Sequence, residues 1–95
     1  MWDGYRTPRW RRLREKILRR DGYMSVIARR YGQSVKANLV HHVWPAEDFP
    51  EYAWAPWNLV SITLEEHALL HNLDGSLTPQ GRALQARYRP PHPRP

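Results

Sequence analysis

Apolar residues recur at helical spacing in an early stretch of the chain, at Trp10, Leu13, Ile17 and Leu18, and the positions between them are mostly arginine. Thr7-Pro8 stands just ahead of this stripe. Thr is a good N-cap, and Pro at the first helical position loses no bond because its missing N–H would have no partner there. The spacing predicts a helix from Pro8 to about Arg20 with the stripe inward, stopped by Asp21-Gly22. The arginines at 9, 11, 12, 19 and 20 then face mostly outward. Residues Tyr23 to Ala28 are largely apolar without a decisive period, and Arg29 to Ser34 reads as a polar turn around Gly32. From Val35 the pattern alternates, with Val35, Ala37 and Leu39 on one side and Lys36, Asn38 and Val40 on the other. That predicts a strand running into His41-His42-Val43 and ended by Trp44-Pro45.

The stretch from Ala46 to Trp57 carries Pro50 and Pro56 and several acids, so it reads as a loop. Its aromatics Phe49, Tyr52, Trp54 and Trp57 are expected to pin that loop to the core. Asn58 to Ile62 reads as a second short strand. Thr63-Leu64-Glu65-Glu66 is a capping box, Thr63 as N-cap and Glu66 three residues on. It predicts a helix carrying His67 and His71 and ending near Asn72 to Gly75. Thr78-Pro79 opens a last helix through Leu84 to Tyr88, and the segment from Arg89 to Pro95 is a proline-rich tail expected to be extended or disordered. The pattern is that of one small α+β domain over residues 1–88, with a strand–loop–strand–helix centre at about 35–73.

Composition narrows the chemistry. A chain of 95 residues has room for one modest core, and five Trp with five Tyr supply large side chains to fill it. No cysteine is present, which excludes disulfides and thiolate metal sites and leaves His, Asp, Glu and backbone as metal donors. No apolar run reaches the roughly 20 residues of a membrane helix and no signal-peptide core is visible, so no membrane association and a cytoplasmic setting are expected. The net charge is +6. Arg6, Arg9, Arg11, Arg12, Arg14, Lys16, Arg19 and Arg20 stand against the single acid Glu15 in that stretch. This block predicts an anionic partner, nucleic acid rather than membrane, because no strong apolar face accompanies it.

Four of the five histidines fall in two groups. His67 and His71, four apart on a predicted helix, project from one face and can share a metal ion. Either alone is weak evidence, since such pairs are common by chance. His41 and His42 are neighbours on a strand, so their side chains point to opposite faces. That arrangement predicts a division of labour, one histidine as a ligand and one left free for proton transfer, a task suited to a side chain that is largely neutral near pH 7.

The run His41-His42-Val43-Trp44-Pro45, then Trp57-Asn58-Leu59, then Glu66-His67-Ala68-Leu69-Leu70-His71 resembles the ββα-metal motif of HNH endonucleases. It is most similar to the short HNH proteins of bacteriophages and prophages, and the histidine pattern is shared with the colicin DNases. The resemblance extends roughly from Trp10 to Leu84 and takes in Arg20-Asp21-Gly22-Tyr23 and Leu77-Thr78-Pro79-x-Gly81. It implies that His41, His67 and His71 hold one divalent metal ion (Zn, Ni, Mn or Mg), that His42 is the general base, and that Asn58 holds the hairpin and orients His42 by a hydrogen bond. The implied reaction is hydrolysis of DNA phosphodiester bonds to 5′-phosphate and 3′-hydroxyl ends, with low sequence specificity. Arg9, Arg11, Arg12, Arg19 and Arg20 would contact phosphates. Glu65 and Glu66 lie off the His67/His71 face, which favours a single metal. Trp44 and Trp57 would buttress the site, and His92 in the tail is expected to be solvated and uninvolved.

Many phage HNH proteins also carry two CxxC pairs for a structural zinc. Aligned on Asp21-Gly22-Tyr23 and Asn58-Leu59, the four cysteine places fall here on Ser25, Ala28, Thr63 and Glu66. All four are replaced, and helix capping with aromatic packing is expected to stand in for the metal. Two other readings remain open: a non-catalytic DNA-binding module whose three histidines hold a structural metal, and a packaging component acting beside a phage terminase.

Overall fold

A computed structural model describes residues 1–91 of the chain. Helix α1 (Pro8–Arg20) starts as the sequence predicts, with the Thr7 hydroxyl accepting from the Trp10 N–H at 3.1 Å. Its far end is closed by a Schellman turn. The Tyr23 N–H donates to the Leu18 carbonyl and the Gly22 N–H to the Arg19 carbonyl. Gly22 and Tyr23 both have positive φ, 64° and 61°, so the turn places a non-glycine residue in a region that L-residues rarely adopt.

The two strands, β1 (Leu39–His42) and β2 (Leu59–Ile62), pair antiparallel with His41 opposite Val60 and His42 opposite Leu59. Both faces of this hairpin are covered. Val40 and Leu59 pack with Trp10, Ile17, Leu18 and Ala37 under α1. Val60 and Ile62 pack with Val43, Leu70 and Leu84 on the other side. This corrects the reading of 35–40 as a strand with one polar face. Val35 is 39 % exposed, Lys36 makes only an isolated bridge to Met24, and Val40 lies in the core. Alternation fails because α1 covers one side and the C-terminal half of the chain covers the other.

The ambiguous stretch after α1 forms a short helix, α2 (Val26–Arg30), capped by the Ser25 hydroxyl. Helix α3 (Leu64–Ala68) is opened by the complete capping box between Thr63 and Glu66. The positions Ser25, Ala28, Thr63 and Glu66 are joined by hydrogen bonds. The Ala28 N–H donates to Ser25 Oγ, which donates to the Glu66 carboxylate at 2.7 Å, and that carboxylate accepts from the Thr63 N–H at 2.8 Å.

Helix α3 ends earlier than its pattern predicts. Just past its end Thr78 takes the next two carbonyls, its hydroxyl donating to the Leu69 carbonyl and its N–H to the Leu70 carbonyl. The chain therefore turns, and His71 sits outside the helix in a bridge to Leu77. Helix α4 (Pro79–Arg87) then packs back on this corner, with Thr78 as its N-cap. Gly81 makes the approach possible, since a Cβ there would lie 2.5 Å from the Leu70 carbonyl oxygen. Most of the proline tail, with His92, lies outside the described residues.

Candidate active site

Because successive strand residues face opposite ways, β1 sends its two histidines to different surroundings. His41 leaves on the side of Val60 and meets His67 and His71. The ring centroids of these three are 5.2 Å (His41–His67), 5.7 Å (His41–His71) and 5.4 Å (His67–His71) apart. Imidazoles sharing one tetrahedral ion through nitrogens at about 2.1 Å have centroids about 5.3 Å apart. The trio thus has the spacing of a shared metal site, even though His71 is not on the helix that carries His67. Among the described residues no group of three His, Asp or Glu is gathered into a finished cage. Both the centroid spacing and the ring tilts of 72°, 75° and 48° follow from side-chain torsions, which a bound ion would reset.

Protonation favours the same use. Burial, with the neighbouring His67, His71 and His42, pushes His41 down to about 3. Burial and His71 also lower His67. Neutral rings with available lone pairs are what a cation requires, so the donor set fits a divalent ion with nitrogen ligands. The Glu66 carboxylate does not compete, because it is committed to Ser25 and Thr63.

His42 leaves on the α1 side and is only 3 % exposed. Its ring stacks on Trp10, with centroids 5.1 Å apart and planes 19° apart, and meets the edges of Trp2 and Tyr5. Both ring nitrogens are engaged: Nε2 with the Ala53 carbonyl at 2.9 Å and Nδ1 with the Tyr5 hydroxyl at 2.9 Å. A carbonyl oxygen can only accept, so Nε2 carries the proton and Nδ1 is the basic nitrogen. Burial lowers the pKa of His42, partly offset by the Ala53 carbonyl.

Asn58 makes no hydrogen bond to His42, contrary to expectation. It is fully buried, its Oδ1 accepting from the Trp44 N–H at 2.7 Å and its Nδ2 donating to the carbonyls of Trp44 and Tyr52. It staples the exit of β1 to the intervening loop, and that loop presents the Ala53 carbonyl to His42. The influence of Asn58 on His42 is thus indirect. The loop is pinned by its aromatics, as predicted: Phe49 stacks on Tyr52, with Trp44 and Trp57 at their edges.

A cleft of about 350 Å³ joins the two histidine environments, lined by His41, His42, His67 and His71 with Tyr5 and Glu47. Sequence reasoning missed Trp2, Tyr5 and the Ala53 carbonyl. Tyr5 is 37 residues from His42 in the chain and carries no periodic signal. The only available hint was the density of aromatics beside the predicted helix start.

The basic residues divide. Arg11, Arg12, Lys16 and Arg19 line a shallow groove on the outer side of α1. Arg9 lies over the Trp54 ring at 3.9 Å, and Trp54 in turn meets Trp2 beside His42. Arg20 differs from the free phosphate-binding residue expected of it. Its guanidinium is spent internally on both Asp21 carboxylate oxygens and on the carbonyls of Pro56 and Leu59.

No protein-family model and no curated protein matches the sequence. The fold, however, is similar to that of a solved structure, the HNH endonuclease of the deep-sea thermophilic bacteriophage GVE2 with manganese ion. The TM-score is 0.66 at 23 % sequence identity, over 67 % of this chain and 70 % of that one. The chain therefore has an α+β fold of the HNH endonuclease kind, with its two-stranded hairpin and flanking helices.

Proposed function

We propose that this protein is a metal-dependent DNA endonuclease that hydrolyses phosphodiester bonds with little sequence preference, and that it is of phage or prophage origin. The observation that carries the reading is the partition of His41 and His42 across the hairpin, on a fold similar to that of a phage HNH endonuclease. His41, His67 and His71 would hold one divalent ion, and the manganese of the similar structure supports an ion of that class. Bound there, the ion would supply the positive charge that stabilises a phosphoryl transition state and a departing 3′ oxygen. His42, kept neutral by burial and held in one tautomer by the Ala53 carbonyl, is the base that takes up the proton released when water attacks. The strand ends would be 5′-phosphate and 3′-hydroxyl. Arginines on α1 hold the DNA backbone without reading bases.

A structural three-histidine site in a binding module would account for His41, His67 and His71. It gives no reason for a fourth histidine, buried and held at both nitrogens, in the same cleft. Supercoiled plasmid incubated with Mg²⁺, Mn²⁺, Ni²⁺ or Zn²⁺ tests the choice. The expected result is nicked or linear product with at least one ion, and a loss of about 100-fold or more in His42→Ala. An inert wild type that still binds DNA would favour the binding module.

A further inference from the structure

The nuclease reading leaves a difficulty at its base. His42 is almost without solvent exposure, and its basic nitrogen Nδ1 is covered by the Tyr5 hydroxyl. A water in the cleft would meet the hydroxyl first. Tyr5 lines that cleft and is itself 38 % exposed, so the side chain whose hydroxyl holds the buried imidazole is also open to the cleft.

The segment that carries Tyr5 is built in, with no sign of a loose arm. Residues Asp3–Arg6 form a 3-10 turn closed by the Thr7 hydroxyl and N–H, which both donate to the Gly4 carbonyl. Gly4 is buried against the Trp2 indole, and a side chain there would collide with the ring. Trp2 meets Tyr5, Trp10, His42 and Trp54 edge-on, and the N-terminal ammonium pairs with Glu47 at 2.8 Å. Burial and Glu47 raise the Tyr5 hydroxyl above its ordinary value, so it keeps its proton and can donate it.

We infer that Tyr5 is a further catalytic residue, the cleft-facing end of a Tyr5–His42 proton relay; this rests on the nuclease reading. As the water oxygen forms its bond to phosphorus, its O–H proton passes to Tyr5 Oη while the Tyr5 proton passes to His42 Nδ1. A lone pair of the water oxygen becomes the new P–O bond, and the electron pair of the broken O–H bond stays on that oxygen. Tyr5 ends unchanged, His42 ends as the imidazolium, and the 3′ oxygen leaves with the electrons of the old P–O bond.

Tyr5→Phe tests the relay, because it keeps the ring and its packing and removes only the hydroxyl. With the cleavage-supporting metal ion and a duplex substrate, kcat is expected to fall about 100-fold or more. The duplex Kd by fluorescence anisotropy should stay at the wild-type value. The thermal melt should fall only by the several degrees that one lost hydrogen bond to His42 costs, leaving the protein folded at the assay temperature. Wild-type cleavage by Tyr5→Phe would overturn the relay, and faster cleavage would overturn it too by showing that the hydroxyl obstructs the base. An equal loss of kcat and of DNA binding would assign Tyr5 to substrate contact instead. Failure of the nuclease reading is separable, since it would show as an inert wild type.

Discussion

Asp21 is 6 % exposed, and its carboxylate is ringed by donors: Arg20 at both oxygens and the Ser61 N–H at 3.1 Å. Burial pushes this carboxyl up, but the bonds from Arg20 and Ser61 together outweigh burial and hold it below its ordinary value. A carboxyl lowered in the folded state stabilises the fold above the unfolded pKa, near 3.9. That contribution is lost as pH falls through the folded value. Stability should therefore drop steeply below about pH 4. Asp21→Asn should be less stable at pH 7 by about 1–3 kcal/mol and should show a shallower acid dependence. Urea titrations at pH 7, 5 and 3 measure both, and identical acid slopes would remove Asp21 as the responsible group. The sequence marks Asp21-Gly22 as a helix stop, yet nothing in it marks Arg20 as the partner of the Pro56 and Leu59 carbonyls. Those acceptors are 36 and 39 residues away, and their positions follow only from the folded hairpin.

At the scale of elements, the order helix–strand–loop–strand–helix was legible because caps are local chemistry. Thr7, Thr63 and Thr78 each cap the helix that their sequence context predicts. Lengths were less legible. Helix α3 stops at Ala68, and just beyond it Thr78, nine residues past Leu69, takes the Leu69 carbonyl that a longer helix would use, a competition that no window on α3 can contain. The spacing of His67 and His71 still predicted their proximity, though the turn after α3, rather than the helix, delivers His71. The network over Ser25, Ala28, Thr63 and Glu66 should hold this corner of the fold without a metal ion. Far-ultraviolet circular dichroism is expected to be retained in excess chelator, and collapse there would contradict it. Ser25→Ala removes a fully buried cap and one partner of Glu66, at about 1–3 kcal/mol. The melt should fall by about 4–8 °C for each kcal/mol in a domain of this size. Gly81→Ala should also destabilise, through the close approach of α4 to the Leu70 carbonyl, and a melt equal to wild type would show that α4 shifts freely.

The whole molecule carries +6, concentrated before residue 21, and the fold sorts that charge into two jobs that the sequence could not separate. Arg11, Arg12 and Arg19 stand exposed on the outer side of α1, whereas Arg20 ties the end of that helix to β2 and to the loop. On the nuclease reading these two kinds of arginine should answer different measurements. Each phosphate neutralised releases condensed counterions, so log Kobs falls with log salt by about 0.9 per contact on duplex DNA. Arg11→Ala and Arg12→Ala should therefore weaken binding to unrelated duplexes alike and reduce the salt slope by about 1 each, with little change in melting temperature. Arg20→Ala should leave the salt slope almost untouched. It should lower the melt instead, because it strands the buried Asp21 and the part-buried Leu59 carbonyl without their donor. Anisotropy titrations between 50 and 200 mM salt, paired with thermal melts, separate the two behaviours. A reduced salt slope in Arg20→Ala at an unchanged melt would mean that its guanidinium leaves Asp21 for DNA. The charge of the helix end would then serve binding before it serves the fold.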